Sequence, residues 1–167
     1  MTEISELVVD DQDFWLGQLP SYQQSGIRSM LGSGVTLEDA AAAWLSGAVA
    51  STTAPFSAGL GPRVFFEKFL DQLHDFLCTG HNYEEERAAV MDGFKPKQAG
   101  LAATISAAIA PYLQAAPPFL TPAIALVICA IAKMGLGAWC QMQTERRASA
   151  GNEPPPPQNT GSDEPVN

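Results

Sequence analysis

Positive charge is scarce in this chain: nine Lys and Arg stand against 18 Asp and Glu, a net charge of −9. Such a field repels phosphate backbones, and Arg28, Arg63, Lys68 and Arg87 are isolated among acids instead of forming a stripe, which argues against a nucleic-acid partner. Cysteine is scarce as well. Cys78, Cys129 and Cys140 are too few, and too apolar in their neighbours, for a disulfide framework, and an odd number leaves one over, so free thiols in a reducing compartment are expected. A basic, then apolar leader is also lacking, since Met1-Thr2-Glu3-Ile4-Ser5-Glu6 is acidic; export by a cleaved signal is not expected and a cytoplasmic location is. No segment alternates with period two, which excludes a sheet, and no internal repeat is visible.

What is present is helical pattern. The expectation is an all-α fold, a compact bundle of about seven helices over residues 10–148, preceded by a flexible acidic lead-in at 1–9. A disordered tail at 149–167 follows, rich in Pro, acids, Gly and Ser and without an aromatic residue. Short amphipathic stretches over 13–19 and 21–31 are stopped by Pro20 and by Gly32-Ser33-Gly34. Thr36, three residues before Asp39, approximates a capping box that opens a helix over 37–49. Turn formers at 51–61 read as a loop, and Gly59-Leu60-Gly61-Pro62 lacks the lysine and spacing of a phosphate-cradling loop.

The clearest helix runs from Pro62 to the stop at Gly80, with Phe66, Phe69, Leu70, Leu73, Phe76 and Leu77 on one face. Asn82 is expected to cap a short helix whose first turn holds Glu84, Glu85 and Glu86, and Gly93 and Pro96 close it.

Between Lys97 and Glu145 there is one charged residue, Lys133. This segment, 97–147, reads as an apolar helical hairpin: a helix over 98–115, a bend at Pro117-Pro118-Phe119-Leu120, and a second helix that Thr121 caps, Pro122 begins and Arg147 ends. Two readings compete for it. For a membrane hairpin over 98–142, the second helix from Pro122 reaches the roughly 20 apolar residues that a bilayer needs. Lys95 and Lys97 before it and Arg146 and Arg147 after it would leave both termini in the cytoplasm, with the hairpin in the inner or plasma membrane. Ala103 and Ala107 also repeat at the four-residue step that close membrane helix pairs use. Against this, Ile105 and Ile109 in the first helix, and Ile128 and Ile131 in the second, form single stripes, and Lys133 would sit near mid-helix. A lysine there costs roughly 2.5 to 3.5 kcal/mol in a bilayer, so a hairpin buried in a helical body is preferred.

Chemistry-bearing clusters are few. His74, Cys78 and His81 are the one group resembling metal ligands, with Asp71 one turn back as a fourth donor. The paired close ligands typical of zinc are missing, and packing of His74 and Cys78 along the apolar face is the plainer account. Cys78 with His74 as a base makes a poor nucleophile, because Asp71, Asp75 and the following Glu run disfavour thiolate. No cofactor is implied. The expectation is therefore a non-enzymatic helical module for protein binding or self-association, the small-residue faces permitting close helix approach. A membrane-inserting hairpin of pore-forming or effector type is the alternative, and a small metal-binding protein the third.

Overall fold

The computed structural model describes residues 4–51, 62–92 and 100–151. After a 3-10 turn at Ile4–Leu7 come α1 (Gln12–Gly17), α2 (Ser21–Gly32), α3 (Leu37–Ser51), α4 (Pro62–His74), a π-helical turn at Asp75–Thr79, α5 (Glu84–Met91), α6 (Leu101–Leu113), α7 (Pro117–Met134) and α8 (Leu136–Gly151). No strand occurs among the described residues, and the fold is all-α as the missing period-two pattern requires.

Local chemistry sets several of these boundaries. The Asp11 carboxylate accepts from the Phe14 amide at 3.0 Å and caps α1, while Thr36 Oγ1 accepts from the Asp39 amide at 3.1 Å and opens α3. Gly80 ends the π-helical turn with φ of 71°, its amide donating to the Asp75 carbonyl at 2.6 Å. A side chain there would be strained by the backbone and would also meet the Arg87 guanidinium, which lies over this glycine. Asn82 does not cap α5; it takes a positive φ of 68°, and Tyr83 occupies the N-cap position without a side-chain capping bond, its hydroxyl donating instead to Gln72 Oε1 on α4.

The apolar half departs most from expectation. Pro117 and Pro118 form the first turn of α7, where a missing amide hydrogen is tolerated, so the segment read as a bend belongs to the helix and residues 114–116 make the link. Thr121 is accordingly inside α7, its hydroxyl bonding to the Pro117 carbonyl and to Ser106 Oγ on α6. At the far end Gly135, at φ 97°, breaks the long helix into α7 and α8. Lys133 consequently lies in the last turn of α7, exposed, and not near mid-helix. Within the lead-in expected at 1–9, Leu7 is fully buried and Trp15 Nε1 donates to the Val9 carbonyl at 2.9 Å. Ser51, where a loop is expected, ends α3, and α8 runs on to Gly151 into the segment expected as tail; residues 52–61, Lys95, Lys97 and the tail beyond 151 lie outside the described residues.

α7 occupies the centre. Every residue over 122–129 is buried, so the helix is enclosed on all sides and not along a single stripe. Its most extensive contacts are with α3 and α6, then α1 and α8. Directed bonds fix two of these neighbours: Trp44 Nε1 on α3 donates to the Phe119 carbonyl at 3.2 Å, and the Gln18 side chain accepts from the Ala102 amide at the start of α6 at 3.0 Å. Phe69, Leu70, Leu73 and Leu77 share one continuous core with Ile105, Ile109, Ile128 and Ile131, while Phe66 is only partly covered. Burial of each large side chain contributes roughly 1.5 to 3 kcal/mol.

Two consequences are measurable by urea denaturation. Ile128→Ala should lower stability by about 2 to 5 kcal/mol, whereas Lys133→Leu should change it by less than about 1 kcal/mol. Burial pushes the Cys129 thiol from its ordinary value of 9.0 up to about 12. The folded protein thus retains this proton where the unfolded chain has lost it. The contribution is complete below pH 9 and is lost as pH rises toward 12, so Cys129→Ala should flatten the alkaline fall in stability.

Candidate functional site

The sequence singled out His74, Cys78 and His81, and the structure brings the first two to α8 instead of to each other's ligand. α4 and its π-helical turn run antiparallel to α8, so that Cys78, His74 and Asp71, one turn apart, meet Cys140, Thr144 and the Arg146–Arg147 pair. The Cys78 sulfur is bonded to that of Cys140, with the two Cα atoms 5.8 Å apart. The expectation of free thiols is corrected for this pair, and the thiol left over is Cys129. One turn back, the Arg147 guanidinium donates to Asp75 Oδ1 at 2.9 Å and to His74 Nδ1 at 3.1 Å. One turn further, Arg146 donates to Asp71 Oδ1 at 2.6 Å. The hydrogen bond with Asp75 raises the affinity of Arg147 for its proton above the ordinary value.

This seam determines what His74 can do. A guanidinium only donates, so Nδ1 of the buried ring accepts from it and Nε2 carries the hydrogen, facing Thr144 Oγ1 at 3.2 Å. The Thr144 hydroxyl in turn donates to the Cys140 carbonyl at 2.9 Å. Neither ring nitrogen is left with a lone pair for a metal, a disulfide sulfur is neither a metal-binding thiolate nor a nucleophile, and His81 lies exposed in the turn beyond Gly80. Among the described residues no group of three His, Cys, Asp or Glu side chains is placed to hold a metal ion.

The hairpin residues separate by exposure. Ile105, Ile109, Ile128 and Ile131 are fully buried, while Ala103, Ala107 and Lys133 face outward. Ala107 belongs to an open trough between α5 and α6 of about 520 Å³, lined by Glu86, Ala89, Val90, Thr104, Ala107, Ala108, Pro111 and Tyr112. Tyr83, at the start of α5, stacks edge-on against Tyr112 near the end of α6 with ring centroids 5.0 Å apart, so the two helices run antiparallel. The Tyr112 hydroxyl donates to the Asn82 carbonyl at 3.2 Å, which pins the ring at one end of the trough although it is half exposed.

The sequence reading found Ala103 and Ala107 but not the α5 wall opposite them, because Ala89 and Val90 form too short a pattern to mark a face. The disulfide did leave a signal: Asp71, His74, Asp75 and Cys78 match Cys140, Thr144 and Arg147 in one-turn spacing, and opposite charges align when the two helices are set antiparallel.

A scan of protein-family models matches none to this chain, and comparisons with curated proteins and with solved structures likewise give no match.

The disulfide closes a loop of 62 residues. Loop-closure entropy at that length corresponds to about 4 kcal/mol at 25 °C, so reduction, or Cys140→Ser, should lower unfolding stability by an amount of that order. Urea curves with and without dithiothreitol measure the effect.

Proposed function

We propose that this protein is a non-enzymatic helical interaction module whose working surface is the trough between α5 and α6, and whose occupant is a helix of another protein chain. The observation that carries the reading is the trough itself. Its lining is mostly small or apolar, with Ala89, Ala107 and Ala108 beside Val90, Pro111 and Tyr112, and Glu86 and Thr104 are its polar members. Small residues let a neighbouring backbone come close, and apolar knobs of a docked helix at one-turn spacing would fill the gaps between them. Asp71, His74, Asp75 and Cys78, the chemistry-bearing groups beside it in sequence, are engaged in holding α8.

The disulfide bears on location. The cytoplasmic expectation rested partly on free thiols, and a Cys78–Cys140 bond persists where thiols are oxidised, so an oxidising compartment suits this body.

A membrane reading retains one supporting observation. α7, at 18 residues or about 27 Å, is long and apolar enough to cross a bilayer, and its one charge is at its end. α6, with 13 residues, is too short to span beside it, and more than half of the apolar window of α7 is buried against protein. The burial favours α7 as a core helix over a spanning hairpin at 98–142. A detergent-free preparation resolves the two readings: a dispersed helical species supports the core helix, and recovery only in a carbonate-resistant pellet supports the span.

For the docking reading, an uncharged amphipathic helical peptide should perturb the amide resonances of Ala107, Ala108 and Tyr112. Ala107→Arg, at an exposed position, should abolish the perturbation while leaving stability within about 1 kcal/mol. Perturbation confined to other elements would contradict it.

A further inference from the structure

α8 is held to the body by one bond that redox chemistry can undo and by little else. Gly135 joins it to the end of α7 at a φ of 97°, and the Cys78–Cys140 bond ties its second turn to the π-helical turn after α4. Further along, Arg146 and Arg147 reach Asp71 and Asp75, but all four side chains keep some contact with solvent, and ion pairs of that kind hold weakly. Apolar attachment is thin. Among the described residues of α8 only Trp139 and Gln143 are buried, and Met142 points outward. The Trp139 indole is fully covered, yet its Nε1 has no hydrogen-bond partner among the described residues, so the docked helix carries a donor that water would satisfy on release. A helix of 16 residues is marginal without tertiary support.

Access to the bond differs from access to the remaining thiol. Cys78 and Cys140 are each only partly covered, whereas Cys129 is 2% exposed, so a reagent in water meets the cross-link and not Cys129. We propose that the Cys78–Cys140 bond is a redox latch: a dithiol reduces it in the folded molecule, and α8 then undocks about Gly135, uncovering Trp139 and His74 while α3 and α6 stay packed on α7. The exchange balances without any other reactant. One thiolate of the dithiol attacks a sulfur of the pair, the protein's S–S bond breaks as a mixed disulfide forms, and the departing cysteine takes up a proton. The second thiol of the reagent then displaces the other cysteine and closes the reagent's own disulfide. Two electrons and two protons pass to the protein, leaving Cys78 and Cys140 as thiols. The latch is closed where thiols are oxidised and opens on contact with a dithiol pool.

The experiment uses the full chain, with amide exchange and indole resonances followed by NMR before and after dithiothreitol. Reduction should speed exchange over 139–147 at least about tenfold, with residues 123–131 still the slowest. The Trp139 indole resonance should move as well. The indoles of Trp15 and Trp44, which donate to the Val9 and Phe119 carbonyls, should stay in place. Removal of dithiothreitol and reoxidation should restore the protection of α8. Cys78→Ser with Cys140→Ser should reproduce the reduced state without reagent, and Arg147→Gln should speed α8 exchange further in the reduced protein but not in the oxidised one. Unchanged exchange over 139–147 after reduction would overturn the inference, because α8 would then be held without the bond. Equal acceleration over 123–131 would also overturn it, as loosening of the whole body in place of release of one helix. A bond that dithiothreitol reduces only in the presence of urea would overturn it too, since the latch must open in the folded molecule.

Discussion

Burial of α7 is the constraint on which the remaining structure depends. A helix apolar on every side cannot rest on a surface; it must be covered all round, and α1, α3, α6 and α8 are arranged to do so. This explains why the chain needs so many short helices. α1, with six residues, would be marginal alone, and it gains its stability by docking Trp15 and Leu16 into the shared core. The backbone breaks follow from the same demand. Gly135 turns the chain so that α8 can return along α4, and Pro117 and Pro118 start α7 sharply after a three-residue link.

Covering α7 leaves α8 with a difficult task, since it carries few large apolar side chains beyond Trp139. Its attachment to α4 is therefore covalent and ionic: the Cys78–Cys140 bond, with Asp71, Asp75, Arg146 and Arg147 arranged behind it. Partly buried pairs of this kind contribute modestly one by one, and the cross-link contributes chiefly by restricting the unfolded chain. The arrangement occupies the very residues that otherwise suggest metal or nucleophilic chemistry. His74 serves as a link between Arg147 and Thr144, and its value lies in orientation.

The parts of the fold that were legible in sequence are those governed by periodicity. The face from Phe69 to Leu77 repeats at three and four residues over several turns, and it is buried as that spacing demands. Thr36 and Gly80 announced their boundaries through side-chain chemistry and backbone freedom. What stayed hidden depended on tertiary pairing. Cys78 and Cys140 are separated by 62 residues, and only the antiparallel register of α4 with α8 makes them neighbours. The break at Gly135 was obscured because Met-Gly-Leu-Gly lies inside an apolar run, where hydropathy continues although the backbone does not. Ala103 and Ala107 were visible as a small-residue row, but the trough needs the opposite wall from α5, and no local pattern specifies which helix faces which.

A core helix enclosed on all sides and an outward trough on α5 and α6 make opposite demands on local stability. The centre should open only with global unfolding, while the short α5 and the outer face of α6 should open more readily, as binding surfaces commonly do. Amide hydrogen exchange in detergent-free buffer tests this directly. The account predicts that the amides of residues 123–131 exchange slowest in the whole chain, at the global unfolding limit, with α5 exchanging faster. Rapid exchange over 123–131 in water, with protection gained only when lipid or detergent is added, would contradict it.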